Sequence, residues 1–139
     1  MKLRFKELCG ELTMELEGRI VIATFTGAID ASLARHFAQA IDRLVAPIKG
    51  QNWGYISCSE GVDAATPDAE PLFVQAVGHY FQLGCRSSGF VMSSPIAIKQ
   101  MDSILKRAGL QDGIQPRLFD SRQAAKSHIA SSLAQITGN

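Results

Sequence analysis

The sequence has little net charge, few cysteines and no long apolar run, and each shortage excludes something. Its 139 residues carry 14 Lys and Arg against 13 Asp and Glu, a formal net charge of +1. That balance supplies neither the basic face that nucleic acid demands nor a polybasic membrane anchor, so neither partner is expected. No stretch approaches the length of a membrane-spanning helix. The opening run Met1-Lys2-Leu3-Arg4-Phe5-Lys6-Glu7 alternates charged and apolar side chains, whereas a secretory signal needs an unbroken apolar core. Cys9, Cys58 and Cys85 are an odd number with no short pair spacing, which points to reduced thiols. The cytoplasm follows as the expected location.

Catalytic signatures are missing as well. There is no nucleophile elbow, Walker loop or Gly-x-Gly-x-x-Gly fingerprint. His36, His79 and His128 fall in three different predicted helices, and none belongs to a zinc-ligand pattern. They read as partly exposed helix residues, and neither a metal nor a cofactor is expected. Cys58 ends a predicted strand beside Ser57 and Ser59, at the edge where open α/β sheets bind ligands. A reactive thiolate there needs a nearby cation or helix N-terminus, and a small buried core thiol is the simpler reading. Glu60, Asp63, Asp68 and Glu70 gather near one loop. Paired carboxylates can do acid-base chemistry, but a solvated loop leading into an acidic first helical turn explains them more simply. No enzymatic activity is expected.

What is present is a regular alternation of strand and helix signals. Leu12, Met14 and Leu16 alternate with polar residues as in a half-buried strand. Gly18 supplies a turn, and Ile20 to Thr26 forms the second arm of a hairpin. The residues before Gly10 form a lead-in or a further short strand. Asp30 or Ser32 caps a helix whose stripe is Leu33, Phe37, Ala40, Ile41 and Leu44, and Pro47 stops it. Trp53 to Cys58 reads as a buried central strand. Asp68 is the preferred cap of the next helix, placing Pro71 in the tolerant first turn; Phe73, Ala76, Val77 and Tyr80 face inward, and Gly84 ends it. Gly89 to Met92 is the next strand. Ser94-Pro95 starts a helix with the stripe Ile98, Met101, Leu105 and Ala108, which Gly109 ends. Ile114 to Phe119 reads as a final strand, at an edge because Pro116 has no N–H. Asp120 with Gln123 resembles a capping box for a last helix striped by Ala125, Ile129, Leu133 and Ile136.

Residues 1–139 lie in the size range of one domain. The expected class is α/β: a mixed, mostly parallel sheet with an N-terminal hairpin and about four helices. The two arms of the hairpin, Thr24-Phe25-Thr26-Gly27-Ala28, Trp53 heading a strand, Thr66-Pro67-Asp68-Ala69-Glu70, Phe90-Val91-Met92-Ser93-Ser94-Pro95 and Leu118-Phe119-Asp120-Ser121 together resemble the anti-anti-sigma and sulfate-transporter (STAS) superfamily, also called SpoIIAA-like. The resemblance covers most of the chain. It implies a SpoIIAA-like fold and a non-enzymatic regulatory or protein-interaction role. Members that regulate sigma factors are phosphorylated on a serine in an Asp-Ser-Ser-Gly-like stretch opening the second helix. Here that region reads Asp63-Ala64-Ala65-Thr66-Pro67-Asp68, and Thr66 is the only nearby hydroxyl. A related group with this fold resembles lipid-transfer modules, which implies a small-molecule or lipid carrier or sensor as the alternative.

In a parallel sheet the loops leaving the strands share one edge. That geometry gathers Asp30, Ser59, Glu60, Thr66, Ser93, Ser94, Asp120 and Ser121 along a rim where several helix N-termini open. Each residue alone reads as a helix cap; together they are the expected ligand- or partner-binding surface. A regulatory protein or a small apolar ligand is the expected occupant. Free sheet edges at the hairpin and at Pro116 leave homodimerisation open.

Overall fold

The computed structural model describes residues 1–137. Five strands, β1 (Lys2–Lys6), β2 (Gly10–Glu17), β3 (Ile20–Gly27), β4 (Trp53–Cys58) and β5 (Cys85–Val91), form one mixed sheet in that spatial order. β1, β2 and β3 pair antiparallel, and β3, β4 and β5 pair parallel. Helices α1 (Ala31–Val45), α2 (Glu70–Gln82) and α3 (Pro95–Arg107) cover one face, and α4 (Arg122–Thr137) covers the other. The lead-in before Gly10 is thus a strand, and two antiparallel strands precede the parallel set. The β2–β3 connection is a two-residue turn with Gly18 at φ 59° in its first central position, the geometry whose twist suits a hairpin.

Strand alternation sorts the core. Val21, Ala23 and Phe25 of β3 and Trp53 and Tyr55 of β4 pack under α1–α3, while Ile22, Ile56 and Cys58 pack under α4. Trp53 is fully buried, yet its indole N–H donates to Leu83 O at 2.9 Å, so its polar edge is satisfied. α4 can lie close to the sheet because β4 and β5 present glycine beneath it. A Cβ on Gly54 would stand 2.3 Å from Ile129 Cγ2, and one on Gly89 would stand 3.2 Å from Ala125 Cβ.

Several sequence expectations are corrected. Ile114 to Phe119 is not a strand: Gln115–Arg117 is a short 3-10 turn, and Leu118 makes only an isolated parallel bridge to Phe90. Pro116 has no N–H to offer a ladder, and the Asp102 carboxylate accepts Ile114 N–H at 2.9 Å, holding the approach in a bend. That N–H, and secondarily the Lys106 ammonium, keeps the Asp102 carboxyl below its usual range. Pro116 therefore stands on no edge strand; the sheet's edges are β1, whose Lys2, Arg4 and Lys6 discourage edge pairing, and β5, which the isolated Leu118 bridge covers only at Phe90. Asp68 does not cap α2. Ala69 holds that position without a side-chain bond, because Asp68 instead accepts the Thr66 hydroxyl at 2.5 Å. α4 is capped by Ser121, whose Oγ accepts Ala124 N–H at 3.1 Å, rather than by an Asp120–Gln123 box. β5 begins at Cys85, four residues before Gly89. Arg86-Ser87-Ser88 shows no apolar alternation and becomes strand because β4 supplies its ladder partner.

Candidate functional site

The loops after β3, β4 and β5 are hydrogen-bonded into one rim. Asp30 caps α1, its Oδ1 accepting Leu33 N–H at 3.0 Å. Thr66 N–H donates to Ile29 O at 2.9 Å, which ties the β4–α2 loop to the β3–α1 loop. On the other side of that loop, Ser59 N–H donates to Val91 O at 3.0 Å. Ser94 caps α3 by accepting Ala97 N–H at 3.3 Å, and its hydroxyl donates to Asp63 O at 3.3 Å. Gly61 N–H reaches Ser93 Oγ at 3.4 Å. Asp30, Ser59, Glu60, Thr66 and Ser94 are thereby brought together. Glu60 is exposed and Ser59 is buried. Asp120 is exposed where the chain turns from the Leu118 bridge into α4, whose first residue, Arg122, donates to Thr24 Oγ1 of β3 at 2.8 Å.

Two contributors to this rim were not legible in the sequence. Gln100 of α3 is the clamp of the β4–α2 loop: its Oε1 accepts Ala65 N–H at 2.8 Å, and its Nε2 donates to Ala65 O at 2.9 Å and to Glu70 Oε2 at 3.1 Å. Arg107 completes the link with an ion pair to Glu70 at 3.0 Å. The β1–β2 turn also lies on this edge, since Gly10 pairs with Gly27 and Ala28 N–H donates to Cys9 O at 2.8 Å. Glu7 in that turn accepts the Ser32 hydroxyl at 2.5 Å. Beside it Leu8 is 98% exposed, and across the rim Ile96 is 67% exposed.

Thr66 stands four residues ahead of α2, which begins at Glu70. It is therefore not at the helix N-terminus, where backbone N–H groups would favour a phosphate. Its hydroxyl already donates to Asp68, so a phosphate added there would meet a like charge.

Beneath the β4–α2 loop, between the sheet and α2 and α3, lies a cavity of about 40 Å³. Its walls include Phe37, Tyr55, Phe73, Phe90 and Met101, with Ser59 and Ala65 of the loop above. Burial raises the Tyr55 phenol above its ordinary range, and a hydrogen bond with the Ser57 side chain offsets part of that rise.

The thiols do not form a reactive site with one another. Cys58 packs among Ile56, Val91 and Ala125 under α4. Cys85 is buried, and burial pushes its thiol up to about 12 despite the Ser87 carbonyl nearby. Cys9 is exposed on the rim. Iodoacetamide at pH 8 is therefore expected to alkylate Cys9 in the native protein and Cys58 and Cys85 only after denaturation, because the thiolate is the attacking species. Peptide mass spectrometry checks this; native labelling of Cys58 at the rate of Cys9 would revive a catalytic reading of that cysteine.

Among the described residues, no helix is long and apolar enough to cross a membrane.

The architecture is a mixed α/β fold with a hairpin-led five-stranded sheet and four helices among the described residues. The crystal structure of an anti-sigma factor antagonist from Mycobacterium paratuberculosis superposes on it with a TM-score of 0.59, at 17% sequence identity, covering 87% of this chain and 94% of that one. A second solved structure, that of Mglu, matches 59% of this chain and 19% of its own at 20% identity and a TM-score of 0.42. No protein-family model matches the sequence, and no curated protein matches it.

Proposed function

We propose that the chain is a non-enzymatic regulatory module that binds a protein partner through the rim formed by the loops after β3, β4 and β5. The observation that carries this reading is electrostatic. From Gly50 to Cys85 the sequence holds Glu60, Asp63, Asp68 and Glu70 and no Lys or Arg. Glu70 is engaged by Arg107 and Gln100, whereas Glu60, Asp63 and Asp68 are exposed on a loop held from both sides. A fixed acidic surface flanked by the exposed apolar Leu8 and Ile96 suits a basic partner segment with apolar anchors, since charge complementarity steers encounter and apolar side chains supply burial. The anti-sigma factor antagonist with the same fold supports a regulatory role. The cytoplasm is the compartment this reading assumes.

The test is affinity capture from native lysate with wild type, with Glu60→Lys/Asp63→Lys/Asp68→Lys, and with Glu15→Lys/Asp42→Lys as a control distant from the rim. The rim variant should lose a specific partner that the control retains, and raised salt should weaken the wild-type complex because exposed charges are screened. Equal capture by all three proteins overturns the assignment.

A further inference from the structure

The cavity beneath the β4–α2 loop has features of a ligand site, and these do not depend on the partner reading. No charged side chain lines it. Most of its polar groups are occupied: the Gln100 amide is held by Ala65 and Glu70, and the Tyr55 phenol has the Ser57 side chain. Tyr80 also lines the cavity, is 0% exposed, and its Oη is a buried side-chain polar atom without a hydrogen-bond partner among the described residues. Native proteins satisfy nearly all such groups, because an unpaired buried hydroxyl is strongly unfavourable. A purely packing role would be met by phenylalanine. Tyr80 already makes the ring contacts of a core aromatic, 6.1 Å to Trp53 and 5.3 Å to Tyr55 between centroids; the hydroxyl adds nothing to these.

We propose that this cavity binds a small, uncharged, largely apolar molecule carrying one hydrogen-bond acceptor, such as a ketone or ether oxygen, to which Tyr80 Oη donates. A water needs about 10–15 Å³ of such space, so about 40 Å³ admits a molecule of about three or four heavy atoms and neither a six-membered ring nor a lipid chain. The walls exclude ions, because nothing there would compensate a charge taken out of water. Met92 and Met101 line the same space, and methionine adapts to irregular occupants. Ser59, Val62, Ala64 and Ala65 belong both to the cavity wall and to the rim loop, so the occupant touches the segment that bears Glu60 and Asp63.

Acetone and its near-isostere isobutene are the probes, followed through the methyl signals of Met92 and Met101 by NMR. Acetone should shift both signals saturably in wild type and bind about tenfold more tightly than the hydrocarbon. Tyr80→Phe should fold with an unchanged or higher Tm, and its ketone-to-hydrocarbon ratio should fall to near one. Met101→Phe, which fills the space, should abolish both titrations and keeps the test valid should Tyr80→Phe not fold. Absence of a saturable shift in wild type, a wild-type ratio near one, a ratio that survives in Tyr80→Phe, or binding retained in Met101→Phe overturns the proposal.

Discussion

Replacing Phe37 by alanine is expected to lower folding stability by about 3–5 kcal/mol, the range for removing a buried aromatic side chain. Phe37 is 2% exposed on the inner face of α1. Its ring centroid lies 5.9 Å from Phe25, 5.7 Å from Tyr55 and 5.5 Å from Phe73, so one substitution removes contacts to β3, β4 and α2 together. Two features place the loss toward the upper end. The position borders the cavity of about 40 Å³, so the new void adds to existing space instead of collapsing into well-packed surroundings. Aromatic pairs also contribute beyond their buried area. Against a total of about 5–15 kcal/mol for a typical native protein, such a loss brings the protein near its unfolding threshold. Denaturant titration measures it directly. Phe37→Leu should recover most of the difference, while Leu8→Ala, at an exposed position, should change stability by less than about 0.5 kcal/mol. A loss under about 1 kcal/mol for Phe37→Ala would mean that the aromatic cluster is not what holds α1 to the sheet.

The second large effect is expected at a residue with no side chain. In Gly10→Ala the new methyl would stand 1.9 Å from Ala28 O, 2.9 Å from Ala28 C and 3.1 Å from Leu33 Cδ1. The nearest obstacle is backbone, so no rotamer change relieves it. Either the β2 end withdraws from Gly27 or the Ala28–Asp30 segment moves, and the second response disturbs the Asp30 cap and the rim. Overpacking typically costs about 1–3 kcal/mol, and a backbone clash belongs at or above the top of that range. Loss of the cap adds about 1 kcal/mol where the loop yields. Amide hydrogen exchange should show faster opening at Leu33 and Ala34, the first amides that Asp30 holds, with the centre of β4 changed no more than global stability requires. Wild-type stability together with unchanged exchange at these amides would refute the close approach.

Legibility from sequence varied with how local the cause is. The β2–β3 hairpin, the Ser94-Pro95 helix start and the inward stripe Phe73, Ala76, Val77 and Tyr80 all follow from neighbouring residues, and all are present. Errors came where a distant group intervened. Asp68 is the exception: it is a reasonable cap by residue type, yet its carboxylate is held by Thr66, only two residues before it. Ile114 to Phe119 has strand-like composition, yet Asp102, twelve residues earlier, binds Ile114 N–H and bends the segment. Arg86-Ser87-Ser88 looks like a loop, yet β4 draws it into the sheet. At the rim, the capping roles of Ser94 and of Asp30, the latter with Ser32 as its alternative, were readable, because each acts on an amide three residues ahead. The Gln100 clamp acts across thirty-five residues and leaves no mark in local periodicity.

By itself the sequence determined the class of fold, the order of most elements, the helix start at Ser94 and that of α1 to within Asp30 or Ser32, and the absence of recognisable catalytic motifs. Those depend on side-chain period, glycine and proline backbone preferences and short-range caps, all written within a few residues. Only the tertiary structure decided that α4 lies alone on the far face over Gly54 and Gly89, that Leu8 and Ile96 share an edge with the acidic loop, and that Tyr80 keeps a buried hydroxyl beside an apolar cavity. Each of those outcomes is a relation between surfaces far apart along the chain, set by how helices settle on a finished sheet, and no local pattern of residues encodes such a distance.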